Sequence, residues 1–583
     1  MSSQTVTCVQ RVLVGCVLFV LLPAFPVGGE PVLNFSDLTS GPRSGNSDSS
    51  QGQPPDQDGA IVSVWGTGLG TRQGTSKVTV NNAPASHVYF WGDAKPPYSP
   101  ADLSVRHSMQ VVIFQVSHLA ADGAGSISIT VDGAVSNPLP FVVRPAAIRF
   151  VSPQGDNEGG DGGWSKPWRS ISRAIDQMKA GDITYVLDGF TQARETDYNA
   201  AVNLSLNGTP DKPAALIAYP GATVSIGGDS AKRAFGHFRS GYGYTHDWTL
   251  AKFNLCANEN AVDMGSGFRA VGNHVTAPTA NAPEGAIAAQ GNNLAVLGNE
   301  ITKVGKPGAS KLTHPIYISS ARSSSGNRLP AESNREIAWN YLHDNNANRA
   351  INIYSEGAST AYMSGHKVHH NFIVNQVGGG MLLGQYMTGE NWVYNNVIAN
   401  AGLGPEPAGG DAQGHIGVEI EPGIEGGPAT TLYFCNNTIY ACGWQGAAWG
   451  AQGFGHISFG RIGLYSLLFA NNIICSTGTP YLPKRDGAPS PKGGHNLWFG
   501  AGQPPTWDTD ALNADPRFAG VARLDFHLLP DSPAIGAGID IRPTIFRDFE
   551  NVPRPADRAP DLGAYQFPAV SPAASRPSRG AGR

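Results

Sequence analysis

Cysteine is scarce in this chain, with six residues in 583, and two of them, Cys8 and Cys16, fall in the first segment. The other four, Cys256, Cys435, Cys442 and Cys475, form no CxxC pair, which argues against a zinc site. They are also too few for the disulfide framework of a small stapled fold. Charge is low: 15% of the residues are Asp, Glu, Lys or Arg, and the net charge is -5. No lysine- or arginine-rich run occurs, so neither nucleic acid nor an anionic membrane surface is expected as a partner. After the first segment no stretch approaches the roughly 18 apolar residues that a membrane helix needs. The early apolar run, "VLVGCVLFVLL" at 12–22, follows Arg11 and has the length of a signal-peptide core. The expectation is that residues 1–29 are a signal peptide. The mature chain then has no transmembrane segment, is secreted, periplasmic or held at the cell surface, and is a monomer. Cys16 lies inside the apolar core rather than after it, which speaks against a lipoprotein.

Glycine is abundant, with 73 residues, and proline contributes 43, neither on a triplet period. Many turns are therefore expected, and with so few charges the composition points to an all-β protein. The length predicts at least two units. A polar stretch at 39–60 reads as a flexible loop. The short alternating runs "IVSVWGTGLG", "SKVTVNN", "HVYFWG", "MQVVIFQV", "GSISITVDG" and "PLPFVVRP" then predict an antiparallel sandwich over 31–145. With "SGPRSG", "GTGLG" and the closing "FVV", this span resembles the IPT/TIG family of immunoglobulin-like domains, which implies a spacing or binding module.

A different pattern begins near residue 146. Ser170 can cap a helix whose Ile171, Ala174, Ile175 and Met178 share one face, with Gly181 placed to end it. A strand, "ITYVLDG", follows. Asparagine then recurs before an aliphatic position, at Asn254, Asn273, Asn299, Asn340, Asn371, Asn396, Asn437 and Asn472. Subtracting positions gives intervals from 19 to 41 residues. Coils of fixed cross-section with loops of varied length produce such intervals, whereas propeller blades are more regular. The entrance helix and the coils together resemble right-handed parallel β-helix proteins, among them many polysaccharide lyases. The resemblance implies that the helix covers the open first coil, over 146–504. It also implies that Asn340, Asn371, Asn396, Asn437 and Asn472 form a ladder at the coil corners. His370 aligns with Asn395, Asn436 and Asn471 one place earlier. The segments 513–540 and 557–567 resemble the closing part of exported β-helix proteins, so 505–567 is expected to seal the last coil, with Asp515, Asp531 and Asp561 in turns. Residues 568–583 read as a disordered tail.

The stretch "EIAWNYLHDNNANRAINIYSE" at 336–356 gathers the richest set of reactive groups. Aligning "HPIYISS", "RAINIYS", "GGMLLGQ" and "IGVEIEPG" by apolar register turns Ile316, Ile351, Met381 and Val418 inward, together with Ile318, Ile353, Leu383 and Ile420. Two outward columns follow: Tyr317, Asn352, Leu382, Glu419, and then Ser319, Tyr354, Gly384, Glu421. Insertions near 305–335 and 401–415 bracket these coils and are placed to wall a groove.

The β-helix lyases to which the chain is similar cleave uronate polysaccharides by β-elimination. That reaction needs the substrate carboxylate neutralised, a base for the alpha proton and an acid for the leaving oxygen. The expected catalytic set is His314 or His343 as base, Arg349 as neutraliser and Tyr354 as acid. Tyr317, Asn352, Lys303 and Glu419 are expected to bind substrate. Ca²⁺ held by Asp344, Glu356 and Glu421 is the alternative neutraliser, as is Lys306. No catalytic signature of the pectate-lyase, alginate-lyase or polygalacturonase families is present. A glycoside hydrolase using Glu419 with Glu356 or Asp344 therefore stays open, and so does a non-catalytic glycan-binding surface protein. Each residue also has a structural alternative: a histidine in a corner, a tyrosine as stacking surface, an arginine in an ion pair.

Overall fold

This computed structural model describes residues 30–193, 200–237, 245–281, 284–323, 325–404, 415–443, 455–482 and 491–568. The expected signal peptide at 1–29, most of the insertion at 401–415 and all but Pro568 of the expected tail at 568–583 lie outside the described residues.

The chain is all-β, a right-handed parallel β-helix preceded by a small antiparallel sandwich. In the N-terminal part, one four-stranded and one six-stranded sheet share a core that includes Val64, Trp65, Val112, Ile127, Ile129 and Phe141. From Ile148 onward the described coils build three parallel sheets of twelve, eleven and nine strands, the end coils contributing to fewer than three. A short helix, Ile171–Gln177, covers the first coil. Ser170 caps it by accepting from the Arg173 N–H, and Ile171, Ala174 and Ile175 are buried against the coil interior. An uncovered first rung would leave a sheet edge and apolar interior in water.

The register confirms the inward and outward columns. Ile316, Ile351, Met381 and Val418 are partners in successive strands, and so are Tyr317, Asn352, Leu382 and Glu419. The first set joins the continuous apolar interior.

Between the first and second sheets the corner is built by asparagine. Asn273, Asn299, Asn340, Asn371, Asn396, Asn437, Asn472 and Asn496 are each fully buried. Each Nδ2 donates to the next Oδ1 at 2.9 to 3.1 Å, from Asn273 through Asn472. That oxygen also accepts the backbone N–H of the residue below it. Asn254 is not part of this ladder; it opens the strand Asn254–Cys256, and Phe253 stands at the corner, its N–H donating to Asn273. The residue before each corner asparagine turns left-handed at Trp339, His370, Asn395, Asn436, Asn471 and His495, a conformation asparagine tolerates better than most residues.

The sandwich lies on the outer face of the first sheet. The Tyr185 hydroxyl donates to Ile61 O and accepts from Ile61 N, both at 2.8 Å. Lys252, buried at the corner just after the strand Trp248–Ala251, donates to Ser63 Oγ at 2.8 Å and pairs with buried Asp37 at 3.5 Å.

At the far end Trp507 packs on Phe459, Phe469 and Trp498, over the interior of the last coil. The chain then runs back along the outside. Phe526, Phe549 and Tyr565 cover Phe372, Val374 and Val397 on the second sheet, and Asn551 reaches Asn34 and Thr67 in the sandwich.

Candidate functional site

The third sheet carries the outward wall, and its polar groups are mostly buried. His314, Arg349, Asn352 and Glu419 are 3%, 6%, 4% and 2% exposed. Arg349 stands at the corner just before the strand Ile351–Ile353. Its side chain passes the rung of Leu382 and reaches the next rung, where Nη2 and Nε donate to Glu419 Oε2 at 2.7 and 3.1 Å. The pair is buried, so each charge depends on the other. Arg349 is thus already engaged by a carboxylate of its own chain, which corrects its expected role as the neutraliser and leaves Glu419 only Oε1 for a substrate.

His314 is held on both ring nitrogens. The Asn352 amide, at 2.9 Å from Nε2, and the Arg349 carbonyl, at 3.3 Å from Nδ1, assign the tautomer with Nδ1–H donating and Nε2 accepting. Burial, and then the Arg349 charge, push its pKa down to about 3. A base this weak takes little part in abstracting a carbon-bound proton at neutral pH, a correction to its expected role. Tyr317 stacks on the His314 ring at 5.5 Å.

His343 belongs to a different wall. It lies in the strand Tyr341–Asn345 of the second sheet, between Glu300 at 3.1 Å and Asp344 at 2.8 Å. Burial alone would lower its pKa, but the hydrogen bonds it donates to these two carboxylates raise it. Lys303 and Asp344 share the second sheet, each at a left-handed bend near a strand end. The expected convergence of His314, His343, Arg349 and Tyr354 on one groove is therefore not found, nor is the expected metal set. Asp344 lies on another sheet from Glu356 and Glu421, and among the described residues no group of three His, Cys, Asp or Glu side chains is placed to hold a metal ion.

What the third sheet does gather is a second, more open cluster. Tyr354 occupies the outer column two residues beyond Asn352 and is part-exposed. Its ring leans over Gly384 on the next rung, where a Cβ would come within 2.7 Å of Tyr354 Cδ2. Burial, then the charges of Glu356 and Glu421, raise its pKa, and Arg461 opposes them. The hydroxyl points to Glu356 Oε2 at 3.4 Å. The phenol therefore stays protonated and can donate.

Beside this cluster three buried oxygens of the first column have no hydrogen-bond partner among the described residues: Asn352 Oδ1, Glu419 Oε1 and Ser458 Oγ. Ser458 follows Glu419 in register and is fully buried. It and Arg461 were outside the expected site. The alternation in "GHISFG" at 455–460 carried the signal for Ser458, since Ile457 and Phe459 repeat the inward register of the preceding strands.

No family model matches the chain, and no curated protein matches it. Solved structures with similarity include pectate lyase Pel9A, 13% identical over 72% of this chain and 96% of that one, with a TM-score of 0.43. A complex of XylC with xylose is 12% identical over 72% and 98%, with a TM-score of 0.34. The GH136 lacto-N-biosidase from Eubacterium ramulus is 10% identical over 60% and 63%, with a TM-score of 0.32. At such identities the likeness concerns the fold alone, and the β-helix stands on the chain's own sheet register.

Proposed function

We propose that the chain is an exported carbohydrate-active protein that takes a polysaccharide along the outer face of the third sheet and cleaves an acidic one by β-elimination. One observation carries the reading: on one outward column Asn352, Glu419 and Ser458 each keep a buried oxygen that meets no donor among the described residues. Leaving such a group unpaired costs about 1–3 kcal/mol, and the hydroxyls of a sugar are donors of the required kind. In the reaction a carboxylate, Glu421 or Glu356, removes the proton alpha to the substrate carboxyl group. The electron pair of that C–H bond forms the new C=C bond, the C–O bond beta to it breaks, and Tyr354 protonates the leaving oxygen. Arg461, exposed beside the cluster, pairs with the substrate carboxylate, and Ca²⁺ supplied from solution is the alternative neutraliser. On this reading the sandwich is the IPT/TIG-like module that its strand pattern resembles.

A second reading rests on the two acids that act on Tyr354. Glu356 and Glu421 are the paired carboxylates that a glycoside hydrolase requires.

One experiment separates these readings. The protein is incubated with a panel of uronate and neutral polysaccharides, with and without chelator, while absorbance of unsaturated ends and release of reducing ends are followed. Unsaturated ends that vanish in Tyr354→Phe support the lyase. Reducing ends without that absorbance assign a hydrolase, and binding without either product assigns a glycan-binding protein.

A further inference from the structure

We infer that the first sheet carries a separate binding track for an acidic oligosaccharide, running from an aromatic platform into the cleft beneath the sandwich. It does not depend on the reaction at the third sheet, from which it is separated by the body of the helix.

The track is a single outward column. Arg269, Ala295, Glu336, Lys367, Trp392 and Tyr433 are partners in six successive strands, a span of about 24 Å at the usual strand spacing. At one end Trp392 and Tyr433 stack with centroids 3.9 Å apart and planes 8° apart, both part-exposed. The stack uses the facing surfaces of the two rings, and the other face of Trp392, toward the Lys367 rung, is the one left for the apolar face of a sugar ring. Lys367, on the next rung, is exposed and has no ion pair among the described residues. The neighbouring acids are already occupied: Glu390 accepts from Trp392 Nε1 at 2.6 Å, and Glu336 is held by His369 at 3.1 Å.

At the other end the column enters a cleft of about 670 Å³ between the sandwich and the sheet, lined by Phe35, Arg269, Glu336 and Trp339 among others. Two donors at this wall have no acceptor among the described residues, Arg269 Nε and Trp339 Nε1, although Arg269 Nη2 donates to Ser36 O at 2.6 Å. The Trp339 side chain is only 8% exposed, so solvent does not satisfy it. Orphaned N–H groups, a cation and an exposed lysine call for oxygens and negative charge, and the stacked rings call for a ring. An oligosaccharide bearing carboxylates meets all three demands.

The test is titration calorimetry of the full chain with a galacturonate oligomer, and with a cello-oligosaccharide as the neutral probe. Trp392→Ala is expected to weaken binding of the galacturonate oligomer about tenfold, the size of an aromatic contact, and Lys367→Ala several-fold. All titrations are made in a Tyr354→Phe background, in which the proposed cleavage at the third sheet is stopped and the oligomer stays intact. Thermal unfolding checks that the variants remain folded, and Arg269→Gln provides a second probe of the cleft. Absence of binding overturns the proposal. So does binding that keeps its full affinity in both Trp392→Ala and Lys367→Ala, which would place the ligand on another face. Equal binding of the neutral oligomer, insensitive to Lys367→Ala, overturns the acidic assignment.

Discussion

The corner ladder and the wall of the third sheet are made of the same kind of group, buried polar side chains stacked rung upon rung, yet they end in opposite states. In the ladder every amide oxygen accepts and every amide nitrogen donates, because identical residues at identical corners bring donor and acceptor into line. On the wall the residues differ from rung to rung, and three oxygens are left over. Repetition satisfies polar groups at no expense in specificity. An irregular column does not, and a native fold tolerates leftover groups where something else is meant to meet them.

The sharpest way to break the comparison is at the middle of the ladder. Asn371→Ala removes the acceptor used by both Asn340 N and Nδ2 and the donor to Ile337 O and Asn396 Oδ1. Asn396 Oδ1 keeps the Asn371 N–H and Asn340 Nδ2 keeps Val296 O, but Asn340 N and Ile337 O lose the side chain that meets them in a dry corner. The expected loss is about 4 kcal/mol, read by denaturant unfolding. A loss under about 1 kcal/mol would mean that the ladder decorates the corner rather than holds it.

Next in size is the buried ion pair of the wall. Glu419→Leu alone leaves Arg349 charged and buried, with an expected loss of about 3 kcal/mol, whereas Glu419→Leu with Arg349→Met is expected to recover most of it. A double variant no better than the single one would show that the pair does more than neutralise itself. Ser458→Ala is smaller again. Removing an orphaned hydroxyl is expected to change stability by less than about 0.5 kcal/mol while weakening polysaccharide binding several-fold, measured on the same protein preparation. That opposition between stability and binding would not arise in the ladder.

How much of this was legible in the sequence follows from the same contrast. The ladder repeats, so its phrase could be found by eye, and the apolar register of Ile316, Ile351, Met381 and Val418 fixed both outward columns. Asn254 carried the phrase without the corner, and Asn496 carried the corner in "GGHNLWFG" but went unread. The wall was legible only as columns. Alignment of rungs does not say which of three sheets a strand belongs to, so His343 and Lys303 were grouped with residues of another face. Nor does it say how far a side chain reaches, which is why the bond from Arg349 across Leu382 to Glu419 was not foreseen. The aromatic column of the first sheet was missed because its members are spread over six strands with loops between them.

The smallest expected effect concerns how the returning C-terminal segment is fastened, and it depends on pH. His527 sits between Asp525 at 2.8 Å and Glu550 at 3.1 Å, and Glu550 also accepts from Ser108 of the sandwich at 2.9 Å. Burial would lower the imidazole pKa, but the hydrogen bonds and charges of Glu550 and Asp525 raise it to about 9. The folded value lies above the unfolded one of 6.5, so the folded state holds the proton more tightly. The contribution is complete below pH 6.5 and is lost as pH rises toward 9. The side chain is 44% exposed, so solvent screening keeps the effect under about 1 kcal/mol. Unfolding midpoints measured from pH 6 to pH 10 in wild type and His527→Gln are expected to converge at the alkaline end. A gap between the two proteins that stays constant across that range would mean that His527 packs against Tyr565, 4.3 Å away, rather than holding the segment by charge. The ladder, which contains no titratable group, is expected to show no such slope.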